Sequence, residues 1–459
     1  MTAVTAPTVN VKYEAVIGIE CHVELKTATK MFCGCRNVFG AEPNTNICPV
    51  CLGLPGALPV PNRVAIEHII RAGLAFDATI PLFSKFDRKN YFYPDMPKNY
   101  QISQFDMPFA QGGIVTYWLP DGTQRICRLT RIHLEEDTGK SLHAGSGDGR
   151  IAGSTHSLVD FNRAGVPLME CVSEPDIRTA TEAVAFLEAL KRSFVALGIS
   201  DVKMEEGSLR CDANVSIRVR GSSAYGTKSE IKNMNSFRSV HRAIESETAR
   251  QIELVESGRR VVQETRGWDE AAGVTHPMRS KEQAHDYRYF PDPDLVPIEF
   301  TAAEVDRWRE TLGTLPQARI ARFITVDALA APVAHQLVDT PGLADFFEAA
   351  AGHSHKPQAT ANFLLGDLAR LANESGTPID QSNVTPEALA ELVDLTDAGA
   401  INSKTAKDLI ERLWTAGGSP RAIVARDGLA QVSDVDTIDA VVGEVIAAQT
   451  KSVADFRAG

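Results

Sequence analysis

Residues 14–25, with the sequence EAVIGIECHVEL, alternate between apolar and polar side chains. A period of two predicts a half-buried β-strand, because successive side chains on a strand point to opposite faces. Glu20, His22 and Glu24 then form a polar row on one face, with neighbours about 6.5 to 7 Å apart. Such a row can contribute to one metal or phosphate site. An edge strand whose polar face lies in water is the alternative.

Three further strand-like segments carry residue types that bind metal ions or phosphate. They are residues 127–137 with Glu135 and Glu136, residues 168–172 with Glu170, and residues 209–217 with Arg210, Asp212 and Asn214. An antiparallel sheet with one polar face would bring these rows together. Oxygen ligands with one imidazole suit Mg²⁺ or Mn²⁺ better than zinc. The pattern predicts metal-assisted phosphoryl transfer, with metal-dependent hydrolysis as the alternative.

Four of the eight cysteines are clustered in residues 33–51, as the two tight pairs Cys33 with Cys35 and Cys48 with Cys51. Each pair lies on a turn that contains Gly or Pro, so that two turns can present four thiolates to one ion. This spacing predicts a structural zinc site, because four protein ligands leave no open position for catalysis. Four reduced thiols without metal are the alternative.

Residues 84–104 interleave cations, aromatic side chains and amides, and include Lys89 and Lys98. Residues 286–294, DYRYFPDPD, form a second segment of this kind. Such a composition can hold a nucleotide or line a polar passage. A structured loop that packs its aromatic rings on the core is the alternative.

The composition favours a cytoplasmic protein without a membrane segment. No apolar run approaches the roughly 18 residues that span a bilayer, and residues 1–12 lack the apolar core of a secretory signal. The net charge of −12 argues against a general polyanion binder.

The order of strand and helix patterns predicts an α+β chain. Residues 1–296 hold all the strand patterns and are predicted to form an antiparallel-sheet catalytic domain that carries the cysteine loop. Helical patterns alone follow, and a break near residues 352–357 divides them. We therefore predict an all-helical domain in residues 297–354 and a helical tail domain in residues 355–459.

Seven segments, in this order, closely resemble the B subunit of the aspartyl/glutamyl-tRNA amidotransferases. They are VIGIECHVELKT, KFDRKNYFYPDMPKNYQISQ, HLEEDTGKS, MECVSEPDI, DVKMEEGSLRCDANVS, EIKNMNSF and DYRYFPDPDL. The resemblance covers essentially the whole chain and identifies the sheet domain as the cradle-shaped catalytic domain of that family. It implies a carbon–nitrogen ligase that uses glutamine as amide donor.

The resemblance also implies the substrates, cofactors and partners. The chain would form a heterotrimer with the A and C subunits of the enzyme, of which the A subunit frees ammonia from glutamine. The B subunit would use ATP and Mg²⁺ to phosphorylate the side-chain carboxylate of Glu mischarged on tRNA(Gln), or of Asp on tRNA(Asn). Ammonia would then attack the acyl phosphate. Which product forms depends on which synthetases mischarge tRNA in the host.

Roles follow from the resemblance for the matching residues. Those expected to bind Mg²⁺ are His22, Glu136 and Glu170, with Glu20, Glu135 and Asp212 around them. Those expected along the ammonia route or near ATP are Lys89, Lys98, Arg210 and Asn214. The cysteine quartet matches family members that carry zinc. Glu24 gains no role.

Two further expectations come from the comparison of motifs. The chain has no Gly-Gly-Ser-Ser amidase signature, so that glutamine hydrolysis would need a partner. The family continues past a segment like residues 453–459 into further Lys- and Gly-rich helices, so the tail domain is expected to lack its end. A non-catalytic zinc- and tRNA-binding scaffold is the alternative function.

Overall fold

The computed structural model describes residues 12–145, 153–279, 284–340, 342–431 and 435–458. Internal contacts divide the chain into two units, residues 1–318 and 319–459, and each is described here by itself. The first unit combines a large sheet with helices, and the second is helical in its described part. The predicted α+β class is confirmed.

The strands lie in the first unit. In chain order they are β1 (Tyr13–Glu24), β2 (Phe83–Ser84), β3 (Asp87–Asn90), β4 (Tyr100–Ser103), β5 (Ala110–Gln111), β6 (Ile114–Trp118), β7 (Gln124–Glu136), β8 (Lys140–Ala144), β9 (His156–Asp160), β10 (Pro167–Ser173), β11 (Leu209–Val219), β12 (Ser229–Lys232), β13 (Thr265–Asp269), β14 (Val274–Arg279), β15 (Phe290–Pro291) and β16 (Ile298–Glu299).

The α-helices occur in both units. In chain order they are α1 (Arg63–Ala75), α2 (Ala180–Ala196), α3 (Phe237–Glu256), α4 (Ala302–Glu310), α5 (Pro316–Thr325), α6 (Ala331–Asp339), α7 (Leu343–Ser354), α8 (Pro357–Phe363), α9 (Ala369–Ser375), α10 (Pro386–Asp397), α11 (Ser403–Ala416), α12 (Pro420–Asp427), α13 (Val435–Ala448) and α14 (Thr450–Ala458). A π-helical segment, Leu364–Leu368, joins α8 to α9.

Strand β1 lies in the middle of the large sheet, whose order is β14-β13-β12-β11-β1-β10-β7-β5, with β6 also paired to β7. It pairs antiparallel with β10 on one side and β11 on the other, so that Cys21 faces both Cys171 and Cys211 across the strands. The edge-strand alternative for residues 14–25 is therefore wrong. Only β12 and β13 pair in parallel in the main sheet, among the pairs of the described residues.

The two faces of β1 differ as its alternation predicts. Ile17, Ile19, Cys21 and Val23 are at most 1% exposed and belong to the hydrophobic core of the first unit. Helix α1 packs near β7, and helix α3 packs on β11, so that this face is covered by helices. Full burial of such a side chain is worth about 1.5 to 3 kcal/mol. The small sheet β15-β3-β4 lies on the polar side, where its strand β4 contacts β7.

The first unit extends beyond the predicted boundary at residue 296. Helix α4 packs on α1, and Val305 on α4 is buried in the core of the first unit. Residues 302–310 therefore belong with the sheet rather than with the following helices. The predicted division into three domains stays a prediction.

The second unit has its own apolar core. Phe347 on α7, Leu392 on α10 and Leu409 on α11 are at most 1% exposed. None of the helices in the described residues is both long enough and apolar enough to cross a lipid bilayer.

Because Ile19 is buried at the centre of the sheet, Ile19→Ala is expected to lower the free energy of unfolding of the first unit by about 2 to 5 kcal/mol. Urea denaturation followed by circular dichroism measures this loss. Ile126→Ala is the matched control, since Ile126 lies on β7 in the same sheet but is 54% exposed. Its effect should stay within about 0.5 kcal/mol. Equal losses in both variants would contradict the placement of β1.

Candidate active site

Carboxylates from four neighbouring strands and the imidazole of His22 meet on the polar face of the sheet. The cross-strand register places His22 beside Glu170 and Glu20 beside Asp212. Ligand atoms of His22, Glu135 and Glu170 lie within 4.8 Å of one another, as do those of Glu20, His22 and Asp212. His22 therefore belongs to both groups and links them.

The imidazole of His22 is surrounded by carboxylate oxygens. Its Nε2 atom lies 3.4 Å from Glu170 Oε2, 3.7 Å from Glu20 Oε1 and 3.9 Å from Glu135 Oε1. Burial lowers the pKa of His22, but these carboxylates outweigh burial and raise the pKa to about 9. Without a metal ion, a proton on His22 thus compensates part of the negative charge.

The carboxylates themselves differ in electrostatic setting. Burial opposes ionisation of Glu170, but His133 and His22 hold its pKa well below the usual value. Burial also opposes ionisation of Glu135, but Lys89 and His133 lower its pKa. Burial and the charge of Glu170 raise the pKa of Glu20. The site therefore keeps Glu135 and Glu170 ionised and ready to accept a cation.

The sequence analysis missed His133. This residue is 3% exposed, and its Nε2 lies 3.3 Å from Glu170 Oε2 and 3.7 Å from Glu135 Oε2. Arg131 Nε donates a hydrogen bond of 3.2 Å to His133 Nδ1, which orients the ring. The alternation of β7 contains the signal, because residues 133 and 135 share a strand face.

Cations line the other walls of the site. Burial opposes the charge of Lys89, but the neighbouring carboxylate of Glu135 raises the pKa of this lysine. Arg210 Nη2 donates a hydrogen bond of 2.7 Å to Asp137 Oδ2. Asp137 is also close to Glu24, and burial together with this neighbour raises the pKa of Glu24 to about 8.

Lys232 on β12 is a second residue that the sequence analysis missed. Its ammonium group forms an ion pair with Asp212 and lies 3.6 Å from Glu230 Oε1. Asn214, which the resemblance placed near ATP, lies on the same face of β11 as Asp212 and pairs in register with Gly18. The strand pattern around Lys232 is short, so that sequence alone does not show which neighbour it faces.

A cavity of about 400 Å³ opens over this constellation. Seven residues on its wall are of the types His, Lys, Arg, Asp or Glu: His22, Lys89, Glu135, Asp137, Arg210, Asp212 and Lys232. Carboxylate oxygens with one imidazole nitrogen match the donor preference of Mg²⁺ or Mn²⁺. A divalent ion at the carboxylates with cations around it suits a polyphosphate.

Glu136 lies on the opposite face of the sheet. The resemblance placed it in a magnesium set with His22 and Glu170, but the structure brings Glu135 to these residues instead. The reason is the alternation of β7, whose residue 136 points to the core side. There Glu136 Oε1 accepts a hydrogen bond of 3.0 Å from the Ile102 amide and forms an ion pair with Lys98. Lys89 lines the cavity, whereas Lys98 is not among its lining residues. The metal-ligand roles stay predictions.

The four clustered cysteines come together as their spacing predicts. The sulfur atoms of Cys33, Cys35, Cys48 and Cys51 all lie within 4.8 Å of one another. The Cys48 amide donates a hydrogen bond of 3.0 Å to Cys51 Sγ, and a hydrogen bond from Cys33 lowers the pKa of Cys51 to about 5. Four sulfur donors without an open position fit structural zinc.

Two family models match the chain. The model described as the GatB/GatE catalytic domain matches residues 15–306, and the model described as the GatB domain matches residues 345–459. Similar curated proteins carry the name of the B subunit of aspartyl/glutamyl-tRNA(Asn/Gln) amidotransferase. That of Carboxydothermus hydrogenoformans is 50% identical over 98% of this chain and 92% of its own length. That of Synechococcus elongatus is 50% identical over 100% of this chain and 93% of its own length.

Binding of a divalent ion to this site should strengthen with pH. The raised pKa of His22, about 9, means that its proton must leave before the imidazole can bind metal below that pH. We expect the Kd for Mn²⁺ to fall about tenfold per pH unit between about pH 7 and 9. Titration calorimetry in buffers of different ionisation enthalpy measures the affinity and the released proton. His22→Asn should lose this pH dependence, and a Kd that does not change with pH would contradict the assignment.

Proposed function

The chain belongs to the family of the GatB/GatE catalytic domain, and we propose that it is the amidating subunit of a glutamine-dependent tRNA amidotransferase. Its substrates in this proposal are Glu carried on tRNA(Gln), Asp carried on tRNA(Asn), or both. The products are the corresponding Gln-tRNA and Asn-tRNA. The names of relatives that are 50% identical over nearly the whole chain support this.

The observation that carries the proposal is the position of His22 among the carboxylates of Glu20, Glu135 and Glu170, at the floor of a cavity that Lys89 also lines. Amide formation from a carboxylate needs activation, because the leaving group would otherwise be an oxide ion. ATP supplies this activation when its γ-phosphate is transferred to the carboxylate. The carboxylates and cations of this cavity suit binding of a nucleoside triphosphate with its divalent ion.

The residues in and around the cavity are assigned to metal binding and to phosphate binding. His22, Glu135 and Glu170 would hold Mg²⁺, with Glu20 and Asp212 beside them. The ion that these residues would hold would supply charge neutralisation for the phosphates. Lys89, Arg210 and Lys232 would hold the remaining phosphate charge at the wall of the cavity. Asn214 is placed near the nucleotide by resemblance.

Amidation would then take place in two steps, phosphoryl transfer and attack by ammonia. An oxygen of the substrate carboxylate bonds to the γ-phosphorus, and the bond to ADP breaks. Ammonia attacks the acyl carbon, inorganic phosphate leaves, and one proton passes from nitrogen to a base. Ammonia would come from a glutamine-hydrolysing partner, the A subunit, and the C subunit would complete a heterotrimer. Lys89 and Lys98 are proposed to line the ammonia route.

The remaining parts of the chain receive structural and binding roles. We assign chemistry to the sheet domain of residues 1–296 together with α4, which packs on it, a linking role to the helices that follow up to residue 354, and tRNA binding to the helical tail of residues 355–459. Zinc on the four cysteines would stabilise the loop of residues 33–51. The cytoplasm is the proposed compartment, because tRNA charging for translation takes place there.

Glu135→Gln in the reconstituted complex should lower amidation of Glu-tRNA by about 100-fold or more, because a charged ligand is lost at the point where phosphate charge must be stabilised. Glu136→Gln, on the other face of β7, should have a smaller effect on phosphoryl transfer. Gln-tRNA formation and tRNA-dependent ATP hydrolysis measure the two steps. Glu206→Gln is the control, since Glu206 is exposed and pairs with Lys203.

Wild-type activity in Glu135→Gln would contradict the site. The cysteine quartet favours a second candidate, a zinc- and tRNA-binding scaffold without catalysis. That candidate expects tRNA binding by the complex but no Mg²⁺-dependent ATP hydrolysis. The same ATP assay on the wild-type complex therefore separates the two functions.

A further inference from the structure

The cysteine loop of residues 33–51 continues through residue 56, and this longer cysteine loop lies directly against Lys98. Gly53 follows Cys51 by two residues and has a φ of +65°, and a Cβ atom built there would lie 2.2 Å from Lys98 Cγ and 3.1 Å from Lys98 Cβ. No neighbour could tolerate such an approach without moving. The loop backbone and the stem of Lys98 are therefore packed as closely as the absence of a side chain at residue 53 permits.

A second glycine, Gly165, lies near both the cysteine loop and Glu136, the ion-pair partner of Lys98. A Cβ atom built on Gly165 would lie 3.5 Å from Cys51 Cβ, 3.6 Å from Lys30 Cδ and 3.8 Å from Glu136 Oε2. The carboxylate of Glu136 forms the ion pair with Lys98, and both side chains are at most 7% exposed. Gly165 therefore lies close both to Cys51 of the loop and to Glu136, the partner of Lys98.

The turn that carries these contacts is the one that the metal would close. The amides of Leu52, Gly53 and Leu54 donate hydrogen bonds to the carbonyls of residues 48–50, at 2.9 to 3.1 Å. Cys48 and Cys51 are the two thiols of this turn, and a metal ion would hold them at a fixed separation. Any loosening of the turn at Cys51 moves Gly53, which is two residues away.

Lys30 adds a charge link between the loop and the sheet. It is 1% exposed, and its Nζ donates a hydrogen bond of 2.9 Å to the Asn46 carbonyl inside the loop. Four thiolates around one divalent ion carry a net negative charge, which a buried lysine beside Cys51 compensates. The loop therefore contacts two buried lysines, and one of them pairs with Glu136.

We propose that the metal-bound cysteine loop is a positioning element for Lys98, which it holds in its ion pair with Glu136 at the end of β7. The residue before Glu136 on that strand is Glu135 of the candidate active site, so that a shift of Glu136 after loss of metal would reach the site through one peptide bond. The role of Lys98 in amidation rests on the proposed function, whereas its dependence on the loop does not.

Amine labelling of the full chain tests this dependence directly. The zinc-loaded chain and the chain stripped by a chelator are treated briefly with an amine-reactive acetylating reagent, and each lysine is quantified by mass spectrometry. Removal of zinc should raise labelling of Lys98 several-fold. Lys85 is the internal control, because it is also a half-buried lysine paired with carboxylates, Asp87 and Asp106, and should not change.

Two glycine variants separate the contact from backbone strain. Gly53→Ala should raise the labelling of Lys98 even with zinc bound. Gly56→Ala is the matched control, since Gly56 lies in the same loop with a φ of +86° but has no atom within 4 Å of a built Cβ. It should leave Lys98 protected. Zinc content, measured by atomic absorption, and circular dichroism are recorded for each variant.

Three results would overturn the inference: no zinc bound to the wild-type chain, unchanged Lys98 labelling after zinc removal, or equal effects of the two glycine variants. A uniform rise at every lysine means unfolding of the stripped chain and also counts against it. If Gly53→Ala does not fold, the comparison of loaded and stripped wild-type chain decides alone. Failure of amidation by the wild-type complex would overturn the proposed function and leave these results unaffected.

Discussion

The structure depends on the register between β1 and its two neighbours. Because the side chains of a strand alternate, a slip of one residue would turn Glu20 and His22 into the core and expose Ile19 and Cys21. The pairing of Cys21 with Cys171 and Cys211 fixes this register on the apolar side. The hydrophobic effect on one face thereby positions the ionisable groups on the other, and the same burial stabilises both fold and site.

Much of this arrangement could be predicted from alternation. The patterns of residues 14–25 and 209–217 placed Glu20, His22 and Asp212 on polar faces, as the structure does. The choice between Glu135 and Glu136 was harder, because the alternation of β7 changes phase along the strand, from core residues Cys127 and Leu129 to core residues Ile132 and Leu134. Only the register of β7 against β10 decides it.

Cross-strand partners were also outside the reach of sequence patterns. His133 and Lys232 contact Glu170 and Asp212 from neighbouring strands, and the pairing of distant strands is a property of the fold rather than of local spacing. The cysteine quartet was different, since two tight pairs in one loop of residues 33–51 constrain the geometry almost without help from the rest of the chain. Clusters set by local spacing were therefore predictable from the sequence, and contacts between distant strands were not.

The position of β1 has a consequence for synthesis of the chain. Among the strands in the described residues it is the first to be synthesised, yet Ser216, whose hydroxyl donates to the Val16 carbonyl, lies 200 residues further along. At about 5 to 20 residues per second, β1 waits roughly 10 to 40 s for its second neighbour. Both edges of this apolar strand stay unpaired until β10 is made, and one edge stays unpaired until β11 follows, a form prone to aggregation. The residues that organise the mature fold are thus those that most need protection while the chain is nascent.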